Sequence, residues 1–294
     1  MAGTHPKISR IYAEAICNKE KHIKTGQHIV TIIQTRSGSK RLPAKALLPL
    51  GGKPLFVRLV ERVKQASLAG YVVVATTCDE EDNIIEQLCL KESIPCFRGH
   101  PDDLLDRHYQ AAARYGADIV VKIPSDCPLI DVGIIDRVLS FFVEHSGEFD
   151  YVSNLHPATY PDGNDVEVFT MQALKKAWEN AGKDFEREHT TPYFWENPEH
   201  FRIGNVSWEA GLDYSMSHRW VLDYEEDYKV IKALYDALSG NDQFFGLGSI
   251  LTFIEKNPLI CNLNGKYAGV NWYRHHIEEL RTVTPAQTKL MGAA

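Results

Sequence analysis

Ile29-Val30-Thr31-Ile32-Ile33, running into Gln34-Thr35-Arg36-Ser37-Gly38-Ser39-Lys40-Arg41-Leu42-Pro43-Ala44-Lys45, is the stretch from which the fold is read. The first five residues are apolar or β-branched without a charge and read as a buried strand. From Leu55 to Val63 the apolar residues recur at helical spacing. Between strand and helix lies a small-residue loop with four cations, Arg36, Lys40, Arg41 and Lys45. Ser37, Gly38 and Ser39 let the backbone turn tightly and aim successive N–H groups at one spot. Such a nest beside Arg36, Arg41 and Lys45 suits a polyphosphate. A solvated basic surface loop is the other reading of the same charges. The spacing is neither that of a P-loop nor that of a dinucleotide fingerprint.

The alternation continues outward. Residues 71–76 and 117–123 read as buried strands and 94–98 as a short one, with helical spacing over 82–91, 102–115 and 131–145. This rhythm predicts an α/β fold, a mostly parallel sheet with helices on both faces. Ligands of such sheets bind beyond the carboxyl ends of the strands. The Arg36 loop, Thr76-Thr77 and Ser125-Asp126 each follow a strand and are therefore expected on one rim. After Tyr151 the pattern changes to strands around the turn Tyr160-Pro161-Asp162-Gly163-Asn164, a helix over 171–180, an aromatic-rich mixed stretch over 185–220, and a closing helix over 227–239. The expected organisation is an extension over 1–27, a main domain over 28–240 with a small mixed lobe at about 151–220, and a helical tail over 241–294 that is broken near Asn257-Pro258.

Composition narrows the partners. The chain is 44% hydrophobic with a net charge of −7 and a pI near 5.9, which argues against nucleic acid or an anionic membrane surface as a partner. A local basic cluster against that overall sign is the more informative for it. No apolar run approaches a membrane span, and residues 1–24 are polar without a signal core. The six cysteines, Cys17, Cys78, Cys89, Cys96, Cys127 and Cys261, form no C-x-x-C pair and read as reduced thiols of a cytoplasmic protein, Cys127 as a buried one.

Several polar groups are placed for chemistry. Asp126 ends a buried strand, where a carboxylate suits Mg²⁺ carrying a nucleotide phosphate; it also stands near a helix start, although Asp131 is the better-placed cap. Thr76 offers a hydroxyl to the edge of a base. Asp103 and Arg107 sit four apart, as a site pair or as a helix-surface pair. Asp162, Asp165 and Glu167 surround a turn, and alternation puts the last two on one strand face, as acceptors for sugar hydroxyls or as a polar face.

The order of residues adds a resemblance. R-x-G-S-x-R-L-P-x-K over 36–45 and L-x-x-L-x-G-x-P-L over 47–55 are similar to the signature of the cytidylyltransferases that activate acidic sugars. These include the CMP-sialic acid and CMP-KDO synthetases, and the likeness is greatest to the spore coat polysaccharide biosynthesis protein F group. The segments 98–107 (R-G-x-x-x-D-x-L-D-R), 123–130 (I-P-S-D-C-P-L-I), 159–169 (T-Y-P-D-G-x-D-V-E-V-F), 187–192 (R-E-H-x-T-P) and 219–227 (R-W-x-x-D-x-x-x-D) carry it further. Ala44 and Ser125 stand where the family has glycine.

The resemblance implies a nucleotide-diphospho-sugar transferase-like fold. It also implies CTP and Mg²⁺, and transfer of CMP to an acidic sugar with release of pyrophosphate, in cell-surface polysaccharide or glycoconjugate biosynthesis. By it, Arg36, Arg41, Lys45 and Asp126 are catalytic, and Ser37, Gly38, Ser39, Thr76, Asp103 and Arg107 bind the nucleotide. Asp162, Asp165, Glu167, Arg187 and His189 face the acceptor, with Arg187 on its carboxylate, unless Arg187 and His189 brace the lobe. Asp223 completes the metal site with Asp126, unless it is an N-cap. Family members form homodimers through the second lobe, so the aromatics between Tyr193 and Trp220 are an interface or ordinary core. A glycosyltransferase using a finished nucleotide sugar and a nucleotide-binding scaffold without turnover are the competing functions.

Overall fold

The computed structural model describes residues 26–240 and 242–289. The extension expected over 1–27 falls outside the described residues except at its end. The strands in chain order are β1 (Ile29–Gln34), β2 (Pro49–Leu50), β3 (Lys53–Pro54), β4 (Tyr71–Thr77), β5 (Cys96–Gly99), β6 (Ile119–Pro124), β7 (Tyr151–Ser153), β8 (Glu167–Thr170) and β9 (Ile203–Asn205). Seven of them form one sheet in the order β5-β4-β1-β6-β8-β7-β9, while β2 and β3 make a small antiparallel pair. Pairings β1–β4, β1–β6, β4–β5 and β7–β9 are parallel, and β8 runs antiparallel to both β6 and β7. The mostly parallel α/β sheet is as expected. The strands over 151–170 extend that same sheet.

Both faces of the sheet are covered, which is why its strands are apolar on both sides. Ile29, Ile33, Val74 and Val121 join one core with helices Leu55–Val63 and Val132–Glu144. Val30, Ile32, Val73 and Val120 join the other with helices Leu104–Arg114 and Met171–Asn180. In helix Leu55–Val63 the residues Leu55, Phe56, Leu59, Val60 and Val63 are fully buried, each worth about 1.5–3 kcal/mol of removal from water. Phe194, Trp195, Phe201, Trp208 and Trp220 are also buried within the chain, so this aromatic stretch is core.

Chain order positions the site. From β1 the chain builds β4 and β5 to one side and then returns to lay β6 on the other, so the switch point lies between β1 and β6. The crevice outside the carboxyl ends of the strands opens there, and it is bordered by the Arg36 loop and Ser125-Asp126. After helices Leu247–Lys256 and Pro258–Asn262, with Pro258 at the N1 position it favours, the chain does not continue as a helical tail. It forms short 3-10 turns at Gly265–Tyr267, Trp272–His275 and Pro285–Gln287, the last two of which come back to this rim.

Candidate active site

Lys45 begins the 3-10 turn Lys45–Leu47, directly after Ala44, whose φ of 54° and ψ of 27° are left-handed. A non-glycine residue there costs about 1–2 kcal/mol. The alanine thus holds a left-handed conformation that glycine adopts freely, and the lysine is delivered to the rim. Its Nζ donates to Asp126 Oδ2 and to Asp223 Oδ1, both at 3.1 Å, and to the Leu222 carbonyl at 2.7 Å. The Leu222 N–H in turn donates to the Asp126 carbonyl at 2.8 Å, fastening the two acidic segments together. Two aspartates about a hundred residues apart in sequence (126 and 223) therefore converge on one cation. Burial works against the Lys45 charge, but Asp126 and Asp223 outweigh it and raise its pKa above the ordinary lysine value.

Neither aspartate is a helix cap. Asp131 caps helix Val132–Glu144, accepting from the Gly133 and Ile134 N–H groups at 2.7 and 3.2 Å. Asp227 serves the start of helix Glu225–Leu238, accepting from the Asp223 and Tyr224 N–H groups, both at 2.9 Å. The Asp223 carboxylate is left to face Lys45, Arg41 at 2.5 Å and Arg219 at 3.0 Å. Burial pushes Asp223 up, yet Lys45, Arg41 and Arg219 more than reverse this and hold it well below the usual carboxylate range.

Arg219 is the hub that the sequence reading quoted without a role. Its side chain is buried and donates to Asp162 at 2.8 Å, to Asp223 at 3.0 Å, to Asp227 at 3.1 and 3.2 Å, and to the Val270 carbonyl at 3.0 Å. Asp162 reaches it because the Asp162 and Arg219 backbones form a bridge. Gly163 permits that approach: its φ is +108°, and a Cβ there would lie 2.9–3.0 Å from Trp220 and the Val221 nitrogen. Burial pushes Asp162 up to about 7, against the pull of Arg219 and with the help of Asp223 and Asp126. Burial also lifts Asp165 well above the carboxylate range, reinforced by Asp162 and Asp126. Such a crowd of acids is relieved by any entering cation.

These groups border a cavity of about 390 Å³, within the range of small-molecule sites. Arg41, Asp126, Asp162, Asp165, Glu167, His189 and Asp223 all line it. Glu167 is committed inside the wall: Lys122, directly opposite on β6, ion-pairs with it, and Tyr151 donates to it at 2.6 Å. His189 stacks on Trp272 with centroids 3.9 Å apart, and burial holds its pKa down to about 3, so it is neutral near pH 7.

The nucleotide side differs from expectation in detail. Asp82, fully buried and unremarked in the sequence, accepts from Ser37 N at 2.7 Å, Ser37 Oγ at 2.5 Å, Thr76 Oγ1 at 3.0 Å and Thr77 Oγ1 at 2.6 Å. Burial opposes its charge, but these bonds keep its pKa below the ordinary value. It ties the loop after β1 to the loop after β4. The Thr76 hydroxyl is thereby buried and occupied, not turned to a base, and the Ser37 N–H belongs to Asp82. The Ser39 N–H is taken by the Ser37 carbonyl at 2.8 Å, with Gly38 exposed between them. The three-amide nest is thus not free as drawn from sequence.

Asp103 caps helix Leu104–Arg114 and ion-pairs with Arg187, whose other nitrogen donates to the Trp178 carbonyl at 2.8 Å. Arg187 therefore braces helices Leu104–Arg114 and Asp184–His189 and does not line the cavity, and the Asp103–Arg107 pair does not form. Arg107 is buried, and burial, then the nearby Arg36, lowers its pKa to about 10. Arg107 Nε, Gln34 Oε1 and Thr35 Oγ1 are buried without hydrogen-bond partners among the described residues. Each such group costs about 1–3 kcal/mol. Together with the exposed Arg36 they mark the rim beyond β1 as a place for a polar ligand.

The fold and this rim define a nucleotidyltransferase-type site, cations on a loop after the first strand facing aspartates across a switch point. The chain belongs to the cytidylyltransferase family, whose model matches residues 30–256. It is 37% identical to an uncharacterized protein of Methanocaldococcus jannaschii over 80% of this chain and 94% of that protein. It is 28% identical to the spore coat polysaccharide biosynthesis protein SpsF of Bacillus subtilis over 78% of this chain and 95% of that protein. The structure of a cytidylyltransferase from Leptospira borgpetersenii superposes with a TM-score of 0.75 at 34% identity, covering 80% of this chain and 97% of the other. The resemblance drawn from the sequence motifs is borne out.

Proposed function

We propose that the protein transfers CMP from CTP to an acidic sugar or related small acid, releasing pyrophosphate, in the assembly of a surface polysaccharide or glycoconjugate. An acceptor oxygen attacks the α-phosphorus; the bond to the bridging oxygen of pyrophosphate breaks; the acceptor proton leaves to solvent. The observation that carries this reading is the convergence of Asp126 and Asp223 on one cationic group, Lys45 Nζ, at the mouth of a sugar-sized cavity.

The same convergence is the test of fit for Mg²⁺. Among the described residues no cluster of three or more His, Cys, Asp or Glu side chains is arranged to hold a metal alone. Two carboxylates suffice for Mg²⁺ that also binds phosphate oxygens, so Asp126 and Asp223 would hold it. When bound, the ion supplies charge neutralisation at the phosphates. Arg36, Arg41 and Lys45 supply the remainder, and Asp82 holds the loop that carries Arg36 in place. Homodimerisation and a cytoplasmic location complete the reading; the first is supported by the motif resemblance alone. The second is supported by five described cysteines, all free, and by the absence, among the described residues, of a helix long and apolar enough to cross a membrane.

Pyrophosphate release with each of the four nucleoside triphosphates against a panel of sugar acids tests this. CTP with at least one acid is expected to give release, with Asp126→Ala lowering it by more than about 100-fold while melting as cooperatively as the wild type. Release without CTP preference, or full turnover by Asp126→Ala, refutes the assignment.

A further inference from the structure

One wall of the cavity comes from outside the matched family stretch. Residues 269–274, 286 and 287 line it, all beyond residue 256, where the cytidylyltransferase match ends. This wall is tied to the core. Arg219 donates to the Val270 carbonyl at 3.0 Å, the Lys289 N–H to the Gly269 carbonyl at 2.7 Å, and Asn271 Nδ2 to the Gln287 carbonyl at 2.9 Å. Trp272 stacks on His189, and Glu196 accepts from the Arg281 and Thr282 N–H groups at 2.7 and 2.9 Å. The segment is a fixed surface of the site.

Four cationic side chains line the cavity: Arg41, Lys122, Arg219 and Arg274. Arg41 pairs with Asp223, Lys122 with Glu167, and Arg219 with Asp162, Asp223 and Asp227. Arg274 alone of the four forms no ion pair among the described residues. It donates only to neutral oxygens, the Asn271 carbonyl at 2.6 Å and the Tyr224 hydroxyl at 3.5 Å. A half-buried guanidinium facing a cavity without a carboxylate partner is an anion-binding group. Arg187, which the sequence offered for this task, is held by Asp103 instead.

We propose that Arg274 binds the carboxylate of the acceptor acid, so that the segment after residue 264 selects which acids enter. The assignment rests on reading the cavity as the acceptor site. Asp162, Asp165 and neutral His189 then offer acceptors for the hydroxyls of the same molecule.

Calorimetric titration of the full-length protein, with 3-deoxy-manno-octulosonate, N-acetylneuraminate and their methyl esters as probes, tests it. The wild type is expected to bind at least one acid about tenfold or more tightly than its uncharged ester. Arg274→Ala should bind acid and ester alike, and Arg274→Lys should recover part of the difference. CTP affinity should stay within about twofold throughout, a readout that a purely structural role for Arg274 would disturb. The proposal is overturned if Arg274→Ala keeps the preference for acid over ester, if acid and CTP affinity fall together, or if the wild type prefers no acid. Those results leave cytidylyl transfer standing wherever the wild type still binds CTP and releases pyrophosphate. Failure of both by the wild type removes the underlying reading itself.

Discussion

Lys45→Ala is expected to lower CTP-dependent pyrophosphate release about 100- to 1000-fold, the loss seen when one well-aimed group is removed from a site of developing charge. Among the described residues the lysine is the one cation that touches both site aspartates, and its charged form is held by them against burial. Its ammonium also anchors the Leu222 carbonyl, so the alanine variant loses alignment as well as charge. The fold is expected to survive, because Asp223 keeps Arg41 and Arg219, and Asp126 keeps its backbone tie to Leu222. Lys45→Arg should recover only part of the activity, since a planar fork does not reproduce a point charge shared by two carboxylates. Pyrophosphate release and thermal melting, measured side by side, check both halves. Loss of activity that only tracks loss of folded protein would remove Lys45 from the chemistry.

For Arg219→Leu the expected loss is of stability, about 3–5 kcal/mol, because deleting one member of a buried charge network leaves the others uncompensated. Asp227 is fully buried, Asp162 and Asp223 are half-buried, and all three lose the same partner. In the wild type burial alone would lower the Arg219 pKa; Asp162, Asp227 and Asp223 instead raise it above the ordinary value, so the guanidinium stays charged. The pH dependence follows by sign. Without Arg219 the buried carboxylates take up protons more readily in the folded than in the unfolded chain, so folding is linked to proton uptake. The deficit should therefore grow as pH rises from about 5 to 8 and shrink as it falls. Urea denaturation at several pH values measures this. A deficit below about 1 kcal/mol, or one that does not change with pH, contradicts the network. Activity should fall as well, since Arg219 joins Asp223 to the wall at Val270.

The sheet was legible because its strands are buried on both faces and read as near-continuous apolar runs, as in Ile29–Gln34 and, but for Lys122, Ile119–Pro124. The convergence of Lys45, Asp126 and Asp223 was legible only through the motif resemblance, for nothing local links positions 126 and 223. The helix-cap alternative for Asp223 is removed by Asp227, which already satisfies the amides at that helix start. Asp82 was missed because an acid at the start of a helix looks like routine capping, while its partners, Ser37, Thr76 and Thr77, lie in other segments. Of the two readings of Arg187 the structure takes the bracing one, for a similar reason: spacing shows which side chains share a helix face but not that the distant Asp103 reaches Arg187. Lys122 was the readable clue that went unused. A lysine inside a strand as apolar as β6 must have a buried acid opposite, and Glu167 is that acid. The wall over 269–287 has weak periodicity, and its order comes from tertiary ties to Arg219, His189 and Glu196.

A crystal structure with CTP and Mn²⁺, with the metal located by anomalous scattering, examines the shared site of Asp126 and Asp223 most directly. One metal peak is expected within about 2.0–2.3 Å of an oxygen of each carboxylate, with the triphosphate against Arg36, Arg41 and Lys45. A metal held by neither aspartate, or a triphosphate lying away from that loop, would contradict the account.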